Sequence, residues 1–466
     1  MKYSNLIEPN AHLVRRDALG SKPVYYLSDK EQIVIADNIK DILDLTGIEV
    51  VVDTDALNEY FTFQNIYSDR TLFQGIKLLP PGHQLEYKNG TLRVSEYYDI
   101  PLNRVEMPEP EWKKLIETKL TESVDRLVEE GDGSFLSGGI DSASVAFLAS
   151  QRTKLKTFTI GFDLTTAKGI EQTFDERESA ERIARLIGSE QYEMVLQSRD
   201  MQTILPELIY HLEDLRVGMS YPNYYAANLA SKFTDNVFSG EGGDELFGGY
   251  PWRHDLVKKM TNKNFEKKYF EYWNRLVPKE DKELFFNMKV NTDDPFEQYH
   301  KIMQKSEKLP RLERMSYFDA KTFMPACSIV DYKYAKANGI TTKAPFMDLE
   351  LALIAFLMPV EYKYNKSLLR DVMSNHLPTD VINKKKQGFS APDLSWYQCE
   401  SLNYIKELLM GENSMSKEYI NQKYIGKVIL EHSGGLHNHR LLLWSLISFE
   451  WWCRIFINYK GEKWET

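Results

Sequence analysis

Residues 137–142 read Ser-Gly-Gly-Ile-Asp-Ser and residues 239–244 read Ser-Gly-Glu-Gly-Gly-Asp, each a glycine-rich turn with a carboxylate behind a short apolar run. In the first, Ser134, Phe135 and Leu136 predict a buried strand, and Ala143, Val145, Ala146, Phe147 and Leu148 predict the helix that follows. A loop in that position turns unpaired backbone N–H groups and the positive end of the helix dipole toward a bound anion. Gly138 and Gly139 let the backbone approach phosphate without a Cβ in the way, and Ser137 and Ser142 add hydroxyl donors. Asp141 alone would repel phosphate, so its presence points to a Mg²⁺ that bridges the two. The chemistry is pyrophosphate binding, without the Gly-Lys-Ser/Thr ending of a Walker loop.

The second turn follows the apolar Val237 and Phe238. In a parallel α/β sheet the C-terminal ends of the strands share one edge, and ligands bind where they meet. Two such turns then face a single site. Asp141 and Asp244 share the metal in this reading, which leaves Glu241 to act on the substrate.

These loops need a scaffold, and the spacing of apolar runs supplies one. Strand-like runs at 134–136, 156–162, 192–196 and 236–239 alternate with helical segments, the pattern of a doubly wound parallel sheet spanning about 130–250. After about residue 255 the strand signals fade, and helical patterns rich in Tyr, Trp and Leu continue to a largely apolar segment, Arg440 to Ile457. Residues 1 to about 100 read as β-rich, with alternation at Val24-Tyr25-Tyr26-Leu27 and Gln32 to Ala36, and a hairpin signal at Asn89-Gly90. Pro101, Pro108 and Pro110 mark a linker before a helix expected over Glu111 to Glu129.

Composition narrows the function classes. A chain of 466 residues with 42% hydrophobic and 27% charged residues is long enough for two or three cored domains. Its 58 basic against 68 acidic side chains give no general affinity for nucleic acid or anionic membrane. Cys327, Cys399 and Cys453 are widely spaced and odd in number, which suggests neither a disulfide framework nor a CxxC metal site. With no apolar run near the roughly 20 residues of a membrane span, the expected compartment is the cytoplasm.

Together the two loops resemble the synthetase domain of the asparagine synthetase family. The likeness extends to Lys156-Thr-Phe-Thr-Ile-Gly-Phe162, Phe174-Asp175-Glu176, Tyr221-Pro222-Asn223-Tyr224-Tyr225, Pro345-Phe346-Met347-Asp348, Lys366 to Arg370, and Lys385-Lys386-Gln387-Gly388-Phe389-Ser390. Arg16 to Tyr26 and Thr71 to His83 resemble the second half of that family's glutaminase domain. The resemblance implies an adenine nucleotide α-hydrolase-like, pyrophosphate-loop synthetase domain over 111–466, helical from about 255. A truncated glutaminase-like (Ntn-type) half-domain over 1–100 precedes it.

From the family, the expected reaction is ATP-dependent and AMP-forming: a carboxylate becomes an acyl-adenylate, which ammonia or an amine then attacks. Phe135, Ser137, Gly138, Gly139, Asp141, Ser142, Ile160, Ser239 and Gly240 are expected to hold ATP and its pyrophosphate, with Asp141 and Asp244 on Mg²⁺. Glu241 is expected to orient or deprotonate the nucleophile and Lys386 to neutralise charge on phosphorus, the alternative being that Lys384, Lys385 and Lys386 form a solvated basic run. The amine-bearing substrates of β-lactam and lasso-peptide cyclases, or an inactive scaffold role, are alternatives. Glu241 favours the first reading, since the β-lactam synthetases place a tyrosine there.

Two departures stand out. The family's nucleophilic cysteine at position 2 is Lys2 here, so the chain is expected not to release ammonia from glutamine itself, and residues 1–100 to associate with a copy or a partner. The family's Glu-x-Arg before Pro-Phe is Thr341-Thr342-Lys343, a change that touches either the fold or the acceptor pocket.

Overall fold

The computed structural model describes residues 5–7, 12–28, 32–88 and 90–461; Lys2 and Asn89 lie outside them. Among the described residues seven strands precede the linker: β1 (Asn5–Ile7), β2 (His12–Arg15), β3 (Tyr25–Ser28), β4 (Ile33–Ala36), β5 (Lys77–Leu78), β6 (His83–Lys88) and β7 (Thr91–Glu96). They form antiparallel sheets in the orders β1-β4-β3-β5 and β2-β6-β7. The β-rich expectation omitted two helices here, Ile39–Thr46 and Thr54–Phe63. The first spaces Ile39, Ile42 and Leu43 on one buried stripe, a helical period.

The parallel sheet follows, from β8 (Gly133–Phe135), β9 (Lys156–Phe162), β10 (Glu190–Leu196), β11 (Asn236–Phe238) and β12 (Thr341–Lys343). Its order is β10-β9-β8-β11-β12, every neighbouring pair parallel. β9 is buried along nearly its whole length, as a central strand covered on both faces should be. The chain winds outward from β8 through β9 to β10, then returns to β11 on the other side of β8. The order reverses between β8 and β11, so a crevice opens at their C-terminal ends.

β12 corrects the expectation that strands end near 255. It comes from the segment that departs from the family pattern, and its polar side chains gave no apolar signal. Lys343 Nζ lies 2.8 Å from Asp132 Oδ2 and 2.9 Å from Glu129 Oε2, so its charge fastens β12 to the turn before β8. Thr341 is exposed. The replacement at Lys343 therefore has a structural job.

A buried junction joins the N-terminal sheets to the rest. Glu213 accepts hydrogen bonds from Ile39 N at 2.8 Å and Lys40 N at 3.1 Å, and pairs with Lys40 and with buried Lys333 of the helix Arg311–Ala337. Trp452, on the buried helix Arg440–Phe456, donates to the Glu213 carbonyl at 2.8 Å. Burial alone would raise the Glu213 carboxyl, but Lys333 and Lys40 hold it down at about 2.

Candidate active site

The loops after β8 and β11 meet in that crevice. Gly139 caps the helix Ile140–Ser150, and Ser137 Oγ accepts from Gly139 N at 3.2 Å. Ser142 Oγ accepts from Ser137 N at 3.1 Å, which ties the loop into a ring. The two loops touch through backbone: a Cβ on Gly240 would fall 2.7 Å from Ser142 N, so only glycine lets them close.

A cavity of about 310 Å³ lies over this junction. It is lined on one side by Phe135, Phe158, Ile160, Ala226 and Ala227, and on the other by the loop residues Ser137, Gly139, Asp141, Ser142, Ser239, Gly240, Glu241 and Asp244. Gly138 stands just outside it, and the space its side chain would fill holds Ser179 and the Lys384 ammonium. One end of the cavity is thus apolar and flat-sided, the other rich in backbone donors and charge.

The two aspartates converge on lysine. Lys366 Nζ donates to Asp141 Oδ2 and stands 2.6 Å from Asp244 Oδ1, while Lys386 Nζ donates to Asp244 Oδ2 at 2.5 Å. Lys366 enters from a left-handed turn, with Asn365 and Lys366 at φ 54° and 59°. Two successive non-glycine residues in that region are strained, and the strain aims the ammonium between the carboxylates. Burial raises the Asp141 carboxyl, helped by its neighbour Asp244; Asp244, though buried, is held at about 2 by Lys366 and Lys386. Lys386 is raised by the same pairing against the effect of burial.

Asp141 Oδ1 is buried and accepts no hydrogen bond, which leaves it free for a cation, while Asp244 Oδ1 faces the Lys366 ammonium at 2.6 Å. Among the described residues no group of three or more His, Cys, Asp or Glu is placed to hold a metal. Two carboxylates with phosphate oxygens completing the shell fit the way Mg²⁺ is usually bound.

Glu241 lines the same cavity, and Ser328 Oγ donates to its Oε1. Burial and the nearby Asp331 push its carboxyl well above the usual range. Asp331 is raised by burial to about 6, partly offset by a hydrogen bond from Asn223 Nδ2 at 3.0 Å.

Several residues here carried no assigned role in the sequence reading. Lys366 and Arg370 were legible only as the ends of a matching stretch, and Asp331 and Ser328 had no motif around them. Lys384, read as solvated, pairs with Glu176 at 2.7 Å beside the first loop. His254 is buried, held low at about 4 by burial and by Lys363, and lies against Tyr364; His376 stacks on Phe147.

Residues 115–454 match the asparagine synthase family, and residues 8–98 match the glutamine amidotransferase domain. The chain belongs to the asparagine synthase family. It is 26% identical to glutamine-hydrolysing asparagine synthetase 1 of Bacillus subtilis strain 168, over 95% of this chain and 75% of the relative. To a putative glutamine-hydrolysing asparagine synthetase of Mycobacterium bovis it is 24% identical, over 95% and 74% of the two chains. Among solved structures it is similar to the NMN synthetase of Francisella tularensis, at 14% identity and TM-score 0.22, covering 44% of this chain and 98% of that one. Membership makes the chain a carbon–nitrogen ligase of asparagine synthetase type. No helix among the described residues is long and apolar enough to cross a membrane.

Proposed function

We propose that this ligase activates a carboxylate with ATP, releasing pyrophosphate, and passes the acyl-adenylate to ammonia or an amine with release of AMP. The observation that carries the reading is the convergence of Lys366 and Lys386 on Asp141 and Asp244 where the two glycine loops touch. Adenine would lie against Phe135, Phe158 and Ile160, with the polyphosphate across Ser137, Gly139, Ser142, Ser239 and Gly240. Asp141 and Asp244 would hold Mg²⁺, which when bound would neutralise charge on the departing pyrophosphate. Lys386 would stand near the α-phosphate, where a permanent positive charge would stabilise the crowded phosphorus as the carboxylate oxygen attacks. Glu241, its carboxyl pushed up by burial and by Asp331, is available to orient the nitrogen nucleophile and exchange a proton with it.

Nitrogen enters this scheme as ammonia or an amine. Residues 8–98, which match the amidotransferase domain, contain no cysteine to attack glutamine, although the relatives are named glutamine-hydrolysing. A cytoplasmic enzyme working alone or with a partner on residues 1–100 fits this composition. Carboxylate-dependent exchange of pyrophosphate into ATP, across a panel of carboxylic acids, tests the reading. Exchange with at least one acid and AMP as the nucleotide product supports it; ADP as product refutes it.

A further inference from the structure

The part of the cavity where the nucleophile would enter carries two carboxylates with which no cation among the described residues is paired. Glu241 and Asp331 both line it, and each repels the other. Their orientations are set by neutral donors, Ser328 Oγ for Glu241 and Asn223 Nδ2 for Asp331. Ser328 and Asp331 are three residues apart on the helix Arg311–Ala337, so one helix face presents both to the site. The cations lining this cavity are Lys366, Arg370 and Lys384 to Lys386, all from the segment 366–386. Lys366 and Lys386 are bound to Asp141 and Asp244, Lys384 to Glu176, and Arg370 to the carbonyls of Asn365, Ile382 and Lys384. None is paired with Glu241 or Asp331.

Two half-buried carboxylates close together are costly unless a cation joins them. An ammonium, with three donors, can satisfy both at once. A substrate presenting a free carboxylate at this end would be repelled. There is also room behind the site. Glu241, Ala335 and Thr342 line a second cavity as well, of about 1080 Å³, which runs between the helix Arg311–Ala337 and residues 21–45 of the N-terminal part. That is far more space than ammonia fills.

We infer that Asp331 is a positioning residue for the attacking nitrogen, and that this nitrogen belongs to an organic primary amine whose substituent lies in the second cavity. The inference rests on the ligase reading for the reaction that follows, but not for binding. The ammonium gives one proton to a carboxylate of the Glu241–Asp331 pair and, as the free amine, attacks the acyl carbon. The new C–N bond forms, the bond from carbon to the phosphate oxygen breaks, AMP leaves with that electron pair, and the nitrogen sheds its second proton through the same pair to solvent.

The test separates binding from chemistry. Thermal shift of the full chain is followed against n-butylammonium, ammonium and tetramethylammonium chlorides. The expected result is a saturable stabilisation by n-butylammonium alone, with its midpoint moved roughly tenfold or more by Asp331→Asn and partly restored in Asp331→Glu. Equal shifts from all three salts, or a midpoint that Asp331→Asn leaves in place, would overturn the inference. With an acid that supports pyrophosphate exchange, amide formation by Asp331→Asn is read against that variant's own rate of exchange. The substitution should raise KM for n-butylamine roughly tenfold, yet leave trapping by uncharged hydroxylamine intact. An equal loss with hydroxylamine would make Asp331 merely structural. Failure of exchange with every acid would sink the ligase reading, while the butylammonium result would still decide this one.

Discussion

Lys386 Nζ stands 2.5 Å from Asp244 Oδ2, and the two residues are brought together from 142 positions apart. That side chain is half-buried and its pairing with Asp244 raises its basicity, so it stays charged at every working pH. Lys386→Ala is expected to slow pyrophosphate exchange by 10²-fold or more while the KM for ATP changes little, because the charge matters most where phosphorus becomes crowded. Lys385→Ala should do much less. Lys384 is different from its sequence reading: it sits between Glu176 and the first loop, so Lys384→Ala should weaken ATP binding and raise KM. Equal effects from all three lysines on kcat would mean a general basic face.

Asp141→Asn probes the proposed metal pair. Losing one carboxylate should lower pyrophosphate release by several kcal/mol of transition-state stabilisation, or on the order of 10²-fold or more. The fold should survive. Burial already raises the Asp141 carboxyl, so a neutral amide of the same shape costs little stability. Wild-type rates with unchanged Mg²⁺ dependence would remove Asp141 from that role.

The two glycine loops were legible because glycine beside a carboxylate after an apolar run has few other uses, and β9 because Thr157 to Ile160 are apolar or β-branched in succession. Lys366, Asn223 and Asp331 were not, because only the fold gives them a shared neighbour; Lys366 and Asp141 are 225 positions apart. β12 was missed for a different reason. Three residues with polar side chains carry no period, and what makes them a strand is pairing with β11, residue by residue from Asn236↔Thr341 to Phe238↔Lys343. The helix Ile39–Thr46 had a readable stripe, but the β alternation on its N-terminal side dominated the reading.

Asp331 gives a pH signature. Burial raises its carboxyl from 3.8 to about 6, so it is ionised above that pH and neutral below it. Amide formation with a charged amine should fall as pH drops through about 6, while pyrophosphate exchange, which does not use Asp331, should show no step there. Stability has the opposite sign. A group whose folded value is raised binds more protons in the native state, so stability declines as pH rises from about 4 to about 6 and remains lower above. Asp331→Asn should therefore be at least as stable as wild type at neutral pH. Urea midpoints on either side of pH 6 check the stability claim, and a variant less stable than wild type above it would contradict the account.

Glu213 carries the converse prediction. Its folded carboxyl is held at about 2, below its ordinary 4.5, by Lys333 and Lys40 against the effect of burial. A lowered value means the native state favours the charged form. Its contribution is full above 4.5 and fades as pH falls toward about 2. Removing it does more than cancel that term, because the buried Lys333, already lowered by burial, would lose its counter-charge and keep only the neutral Asn38 Oδ1. Glu213→Ala should then cost about 3–5 kcal/mol, the range for breaking a buried pair by deleting one side. The same change strips the N–H groups of Ile39 and Lys40 of their acceptor, so the helix Ile39–Thr46 should loosen from the synthetase body before the body itself unfolds. Urea denaturation with limited proteolysis reads both effects. A drop in midpoint with early cleavage within residues 21–50 is the expected outcome, and an unchanged midpoint would mean that the junction is held by Trp452 and its apolar neighbours instead.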